Sequence, residues 1–357
     1  MNWQEIKAAI QPLDAQAMKQ AAEYQDSLVK PAGSLGMLEK ISIQIAGITG
    51  QVKNRADKKA HYLFGADNGV YAEGVTASPQ EFTRLLMGFY CQGVNCGITV
   101  LCRQHNIDLY TVDMGIIGEV QGNVRRVKLM PNGTNNMAKE AAMPREIAEK
   151  AVETGFNLVK EAMDSGYTII SAGEVGMGNT TTAAACIKAV LQDYDLHHGV
   201  GRGAGLTDEA YARKKQVIAD ALALHRPDPN DFLDILSKVG GLDIAAMCGM
   251  YIGAAYYRIP IIVDGVIAIA GALLAYCFQP LVKDFLIPSH ISKEPAYEMA
   301  CRAMDMKPFL LMDMRLGEGS GCPIAMGIVD DALAIINEMN TFAEIQLSTD
   351  YQEGIHA

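Results

Sequence analysis

GYTIISAGEVGMGNTTTAAACIKAVLQ, residues 166–192, reads as one strand, one turn and one helix. GYTIISAGE (166–174) is a short apolar run with β-branched residues at its centre, which predicts a buried strand. Gly173, Gly176 and Gly178 punctuate it, and TTTAAACIKAVLQ continues as a helix. The same grammar recurs along the chain. HYLFGAD (61–67), DLYTVDMG (108–115), RIPIIVDG (258–265) and PFLLMDM (308–314) are further strand candidates. PQEFTRLLMGFYCQGVNCGITVLCRQ predicts a helix leading into a strand near GITVL, and residues 144–165 predict an amphipathic helix. Strands that are apolar throughout and separated by helices belong in a parallel sheet covered on both faces, so the fold class is α/β.

The ends of the chain differ from this middle. DAQAMKQAAEYQDSLVK and SLGMLEKISIQIAGITG predict two helices within the first fifty residues, with Ser34 as a cap for the second. A loop rich in Gly, Asn and Pro covers about 117–136, and HHGVGRGAG (197–205) predicts another loop. The small residues of KVGGLDIAAMCGMYIGAA (238–255) predict tight helix packing.

Composition limits the function classes. Thirty Lys and Arg stand against 41 Asp and Glu, a net charge of −11, which disfavours nucleic acid and anionic membrane as partners. The longest apolar run, around 259–278, is broken by Asp264, Gly265 and Gly271, so it predicts a strand, turn and helix rather than a membrane span. Eight scattered cysteines form no C-x-x-C pair. Cys91, Cys96, Cys102 and His105 lack the tight pairing of a zinc site, so buried thiols and no metal are expected. MNWQEIKAAIQPLD has no apolar signal-peptide core, and with reduced thiols this predicts a cytoplasmic protein.

Nearly every strand candidate ends in an acid: Asp67, Asp113, Glu174, Asp264 and Asp313. In open parallel sheets ligands bind outside the carboxyl ends of the strands, so these acids predict a site for cationic or hydroxyl-bearing groups. Asp after a strand also serves as an ordinary cap or turn residue. In GEVGMGN the glycines run G-x-x-G-x-G, and no Lys precedes the threonines, so neither the dinucleotide fingerprint nor the Walker loop is present. Backbone approach at Gly176 and Gly178, with donors from Asn179 and Thr180, predicts phosphate at the helix N-terminus; a simple capped turn fits the same residues. Glu174 would repel that phosphate and suits a sugar hydroxyl or a cationic ring. Glu318, between two glycines of RLGEGSGCP (315–323), is either a general base or a turn acid, and Arg315 either orients a carboxylate or pairs locally. Ser289, His290, Ser292 and Lys293 crowd IPSHISKEPA (287–296), which a surface loop also explains. Ser78-Pro79 opens a helix whose loop could wall a pocket.

Seven segments carry a resemblance: KPAGSLGMLEK, GADNGVYAEGV, GEVGMGNTTTAAA, SKVGGLDIAAMCG, IIVDG, IPSHISKEPA and MRLGEGSGCPIAM. In this order, across nearly the whole chain, they resemble the nicotinate-nucleotide–dimethylbenzimidazole phosphoribosyltransferase family of cobalamin nucleotide-loop synthesis. The resemblance implies a Rossmann-like large domain at 56–323, and a small helical domain from 1–55 and 324–357. It implies transfer of ribose phosphate from nicotinate mononucleotide to an aromatic lower-ligand base with inversion, giving an α-ribotide and nicotinate, with no cofactor. It implies Glu318 as the catalytic base and Glu174 beside the ribose. Gly176 and the N–H groups after it (Gly178, Asn179, Thr180), with Lys214 and Ser292, would hold the phosphate. Asp264 would join the substrate site, and Ser78, Leu86 and Leu316 would line the base pocket. A homodimer is implied. The family commonly has His where Asn68 stands, and some members have Gln where Leu86 stands. These departures leave open a relative that attaches phenol or p-cresol in a heterodimer with a homologous subunit; a non-catalytic supporting subunit is a further alternative, against which both glutamates argue.

Overall fold

The computed structural model describes residues 1–348 except Ala204. Six parallel strands run β1 (Lys59–Ala66), β2 (Ile107–Gly115), β3 (Arg125–Arg126), β4 (Ile169–Val175), β5 (Ile261–Val263) and β6 (Leu286–Pro288). Their order in the sheet is β3-β2-β1-β4-β5-β6, the doubly wound order, with its switch point between β1 and β4. The helices are α1 (Trp3–Ala9), α2 (Ala15–Ser27), α3 (Met37–Thr49), α4 (Phe82–Cys91), α5 (Gly97–Gln104), α6 (Arg145–Asp164) and α7 (Asn179–Val190). They continue as α8 (Leu196–Gly199), α9 (Asp208–His225), α10 (Phe232–Val239), α11 (Leu242–Tyr257), α12 (Val266–Phe278), α13 (Pro295–Ala303) and α14 (Gly321–Glu338).

The sheet separates two cores, and β1 shows why its sequence is mostly apolar. Ala60, Tyr62, Phe64 and Ala66 face the larger core with residues of α6, α7, α10, α11 and α12. Leu63, on the opposite face, packs with residues of α3, α4, α5 and α14. A period of two with both faces covered leaves room only for buried polar side chains that find partners, as Lys59 and His61 do. From Leu242 to Ala255, α11 is buried at every position, which its alanines and glycines allow. A small third cluster of Ala21, Ala46 and Ile336 joins α2, α3 and α14. Trp3 of α1 meets Phe156, Phe232 and Phe278 edge-on at 5.9–6.3 Å.

Three local expectations are corrected. GITVL is helical, the start of α5: Thr99 Oγ1 accepts from the Cys96 N–H at 2.8 Å, and Ile98 and Cys102 bury one face. A five-residue apolar run has no period of its own long enough to separate helix from strand. PFLLMDM is not a strand; Leu310 makes a single bridge to His290, and Leu311 and Met312 are exposed. The strand at that edge is β6, Leu286 with the first two residues of IPSHISKEPA. Ser34 does not cap α3, whose N-cap is Gly36; the Glu39 carboxylate instead takes the Leu35 N–H and the Lys30 ammonium. Of the predicted helical C-terminal region, residues 349–357 lie outside the described residues.

Candidate active site

Two strand-to-helix turns open on one pocket. The β4–α7 turn contributes Glu174 to Thr180, and the β5–α12 turn contributes Asp264 to Ala268. Helix α7 starts at N-cap Gly178 (φ +95°) and α12 at N-cap Gly265, and no side chain caps either. Two helix N-termini without a side-chain cap thus face one cavity of about 240 Å³, an arrangement whose dipoles favour negative charge. Lys214 is fully buried behind α7, where its ammonium donates to Thr180 Oγ1 (2.9 Å) and the Gly201 carbonyl (3.1 Å). Burial lowers it to about 8, and Glu294 opposes the shift. Ser292 and Glu294 complete this end; Glu294 Oε1 accepts from the Gly203 N–H at 2.8 Å.

The other end is acidic. Glu174 is buried, and the side-chain amide of Asn179 donates to its Oε2 and, at 3.0 Å, to Asp243 Oδ2. Burial, then the nearby Asp243, pushes Glu174 up to about 8, and burial pushes Asp243 up to about 6. Asp264 is raised by burial, against His290 Nδ1 at 3.7 Å, and its Oδ1 accepts from the Gly321 N–H. Glu318 approaches from the 315–319 loop. Gly317, Glu318 and Gly319 all have positive φ (+85°, +63°, +74°), an uncommon conformation for the central non-glycine residue. Its carboxylate accepts from the Tyr90 hydroxyl at 2.8 Å and from the Ile98 N–H, at the N-terminus of α5, at 3.0 Å. Each oxygen retains a second lone pair for a substrate proton. Phe82, Leu86 and Leu316 supply apolar wall beside it, with Ser78 at the rim.

A family model described as a phosphoribosyltransferase, DBI_PRT, matches residues 10–347. The chain belongs to this family. It is thus a phosphoribosyltransferase, an enzyme. It is 46% identical over 344 residues, 96% of this chain and 94% of the relative, to the nicotinate-nucleotide–dimethylbenzimidazole phosphoribosyltransferase of Clostridium tetani. The Clostridium perfringens (strain 13 / Type A) protein of the same name is 42% identical over 98% of this chain and 97% of its own. The crystal structure of CobT from Thermus thermophilus superposes with a TM-score of 0.88 at 36% identity, over 94% of this chain and 99% of that one.

The pocket collects eleven of the twelve site residues that the resemblance implied: Glu318, Glu174, Gly176, Gly178, Asn179, Thr180, Ser292, Asp264, Ser78, Leu86 and Leu316 all line it. Lys214 lies one layer behind, through Thr180. Three of the five strand-end acids stay out. Asp67 and Asp113 accept the Ile117 and Ile116 N–H groups, and exposed Asp313 pairs with Lys293 at 2.6 Å. Sequence reasoning missed Tyr90, Asp243 and the N-terminus of α12. Only the last left a signal, since IIVDGV repeats the strand–Gly–helix grammar of the opening stretch. Among the described residues no cluster of three or more His, Cys, Asp or Glu could hold a metal ion, and no helix is long and apolar enough to cross a membrane.

Proposed function

We propose that this phosphoribosyltransferase moves the 5-phosphoribosyl group of nicotinate mononucleotide to 5,6-dimethylbenzimidazole, giving α-ribazole 5′-phosphate and nicotinate for the cobalamin nucleotide loop. The names of its relatives support the substrates. The observation that carries the chemistry is the Glu318 carboxylate, held at the N-terminus of α5 inside a pocket that also presents two bare helix N-termini. The phosphate sits at the α7 and α12 termini, with Ser292 beside it and Lys214 supplying charge through Thr180. The ribose lies against Glu174 and Asp264. The pyridinium of the bound substrate, and the positive charge that grows on the sugar as the C–N bond breaks, draw both acids toward their ionised form, so Glu174 is neutral in the free protein and charged against the substrate. Benzimidazole stacks against Phe82, Leu86 and Leu316. Glu318 takes its N–H proton while its other nitrogen attacks the anomeric carbon from the face opposite nicotinate. Nicotinate leaves with the bonding pair as a neutral ring nitrogen, so the reaction needs positioning and one proton acceptor, and no cofactor.

The same reading includes a homodimer in the cytoplasm. Helix α4 turns Phe82, Leu85 and Phe89 outward at helical spacing, and Leu316, which shares the pocket with Phe82, is 60% exposed. A second copy covering that face would enclose the base pocket. A smaller helical domain at the chain ends belongs to the same reading, and over the described residues 1–55 and 324–348 it is supported by the packing of α2, α3 and α14. The test is nicotinate release from nicotinate mononucleotide with dimethylbenzimidazole, adenine, phenol and p-cresol supplied separately. Release with the benzimidazole is expected; release with the phenols alone would overturn the choice of base.

A further inference from the structure

We propose that His61 is a positioning residue for the reaction: its ring clamps the backbone of the loop that carries Glu318, and the Ser171 hydroxyl holds the other nitrogen of that ring. The proposal rests on the reading of Glu318 as the base. His61 is the one side chain of β1 that is both fully buried and basic beyond Lys59 at its start. It sits in register with Ser171 of β4, on the same sheet face. Nδ1 lies 2.7 Å from Ser171 Oγ, and Nε2 lies 3.2 Å from the Glu318 carbonyl oxygen. A carbonyl only accepts, so Nε2 carries the proton. Nδ1 of the neutral ring is then an acceptor, and the Ser171 hydroxyl donates to it. Burial lowers this imidazole to about 4, so the neutral ring is the form present at physiological pH.

The close approach of loop and sheet extends beyond the ring. Two residues past Ser171, a Cβ on Gly173 would lie 2.5 Å from the Glu318 carbonyl and 2.6 Å from His61 Nε2. A Cβ on Gly319 would lie 2.2 Å from His61 Cε1. His61 and Gly173 therefore form the surface against which Glu318 and Gly319 rest, with Ser171 holding the ring from the far side. With its carbonyl held down, Glu318 keeps φ at +63°, and its side chain turns toward Tyr90 and Ile98. Releasing the carbonyl lets that backbone relax toward negative φ and carries the carboxylate away from the incoming base. A displacement of about 1 Å costs on the order of a hundredfold in rate.

The test compares His61→Gln, whose amide nitrogen reaches the place of Nε2, with His61→Leu, which has no donor, in steady-state transfer to dimethylbenzimidazole; Glu318→Gln is run beside them. His61→Leu is expected to lose kcat by roughly tenfold to a hundredfold, with KM for nicotinate mononucleotide little changed, and His61→Gln to recover most of that loss. Equal loss in both variants, or a loss carried by KM, overturns the proposal. Loss in Glu318→Gln with His61→Leu fully active overturns the role of His61 alone. Full activity in Glu318→Gln overturns the base assignment and the role of His61 with it. Should His61→Leu fail to fold, the ring of the unmodified protein is read directly by ¹⁵N-histidine resonances at pH 6. A neutral ring protonated on Nε2 is expected, and a charged or Nδ1-protonated ring overturns the clamp.

Discussion

Replacing Glu174 with Gln should leave stability unchanged in acid and raise it in base. The carboxyl is buried against Asn179, with Asp243, Asp264 and Glu318 adding negative charge around it, and it titrates at about 8 in the folded chain against 4.5 ordinarily. The folded state thus binds more protons than the unfolded state between those limits, so this group's contribution falls as pH rises through that window. From 4.5 to about 8, at about 1.36 kcal/mol per pH unit, the wild type gives up on the order of 5 kcal/mol. Gln has the same shape, keeps an oxygen for Asn179, and has no charge to acquire. For 357 residues at about 2.1 cal/mol/K each, the unfolding entropy near Tm is about 0.75 kcal/mol/K. The gap should therefore grow to about 6 °C. The assay is thermal unfolding by circular dichroism of both proteins at pH 5 and pH 8.5. The melting points should nearly coincide at pH 5, and Glu174→Gln should lead at pH 8.5. A gap of the same size at both values, or one of opposite sign, refutes a proton on Glu174 at neutral pH.

Two further outcomes follow from the same geometry. Lys214→Met removes the buried ammonium behind Thr180 while keeping its length. It should raise KM for nicotinate mononucleotide by roughly tenfold to a hundredfold, the equivalent of about 1.5–3 kcal/mol for a charge-assisted bond, as steady-state kinetics will show. Tyr90→Phe deletes the hydroxyl that donates to Glu318 Oε1. It should lower kcat by about tenfold with little change in melting temperature.

Much of this enzyme is legible in its sequence because a parallel sheet writes a strong signal. HYLFGAD, DLYTVDMG and GYTIISAGE are apolar runs with few polar positions, and glycine turns mark where each strand gives way. The two errors in that reading share a cause. GITVL and PFLLMDM are short apolar runs, and such a run looks the same in a strand, in a helix face or on an exposed loop. The motif residues near the pocket were also readable, since GEVGMGN and RLGEGSG keep their donors and acids within a few positions. His61, Tyr90 and Asp243 were not. Each meets its partner across a separation that only the folded sheet closes, 257 residues for His61 and Glu318 and 228 for Tyr90 and Glu318.

The central claim is that Glu318 removes a proton from the attacking base. It is tested most directly by the kinetics of Glu318→Gln with nicotinate mononucleotide and dimethylbenzimidazole. Loss of general-base catalysis should lower kcat by about 10²–10⁴-fold, with KM for the mononucleotide held within a few-fold, because the phosphate site at α7 and α12 is untouched. An unchanged kcat, or a loss that appears only in KM, would contradict it.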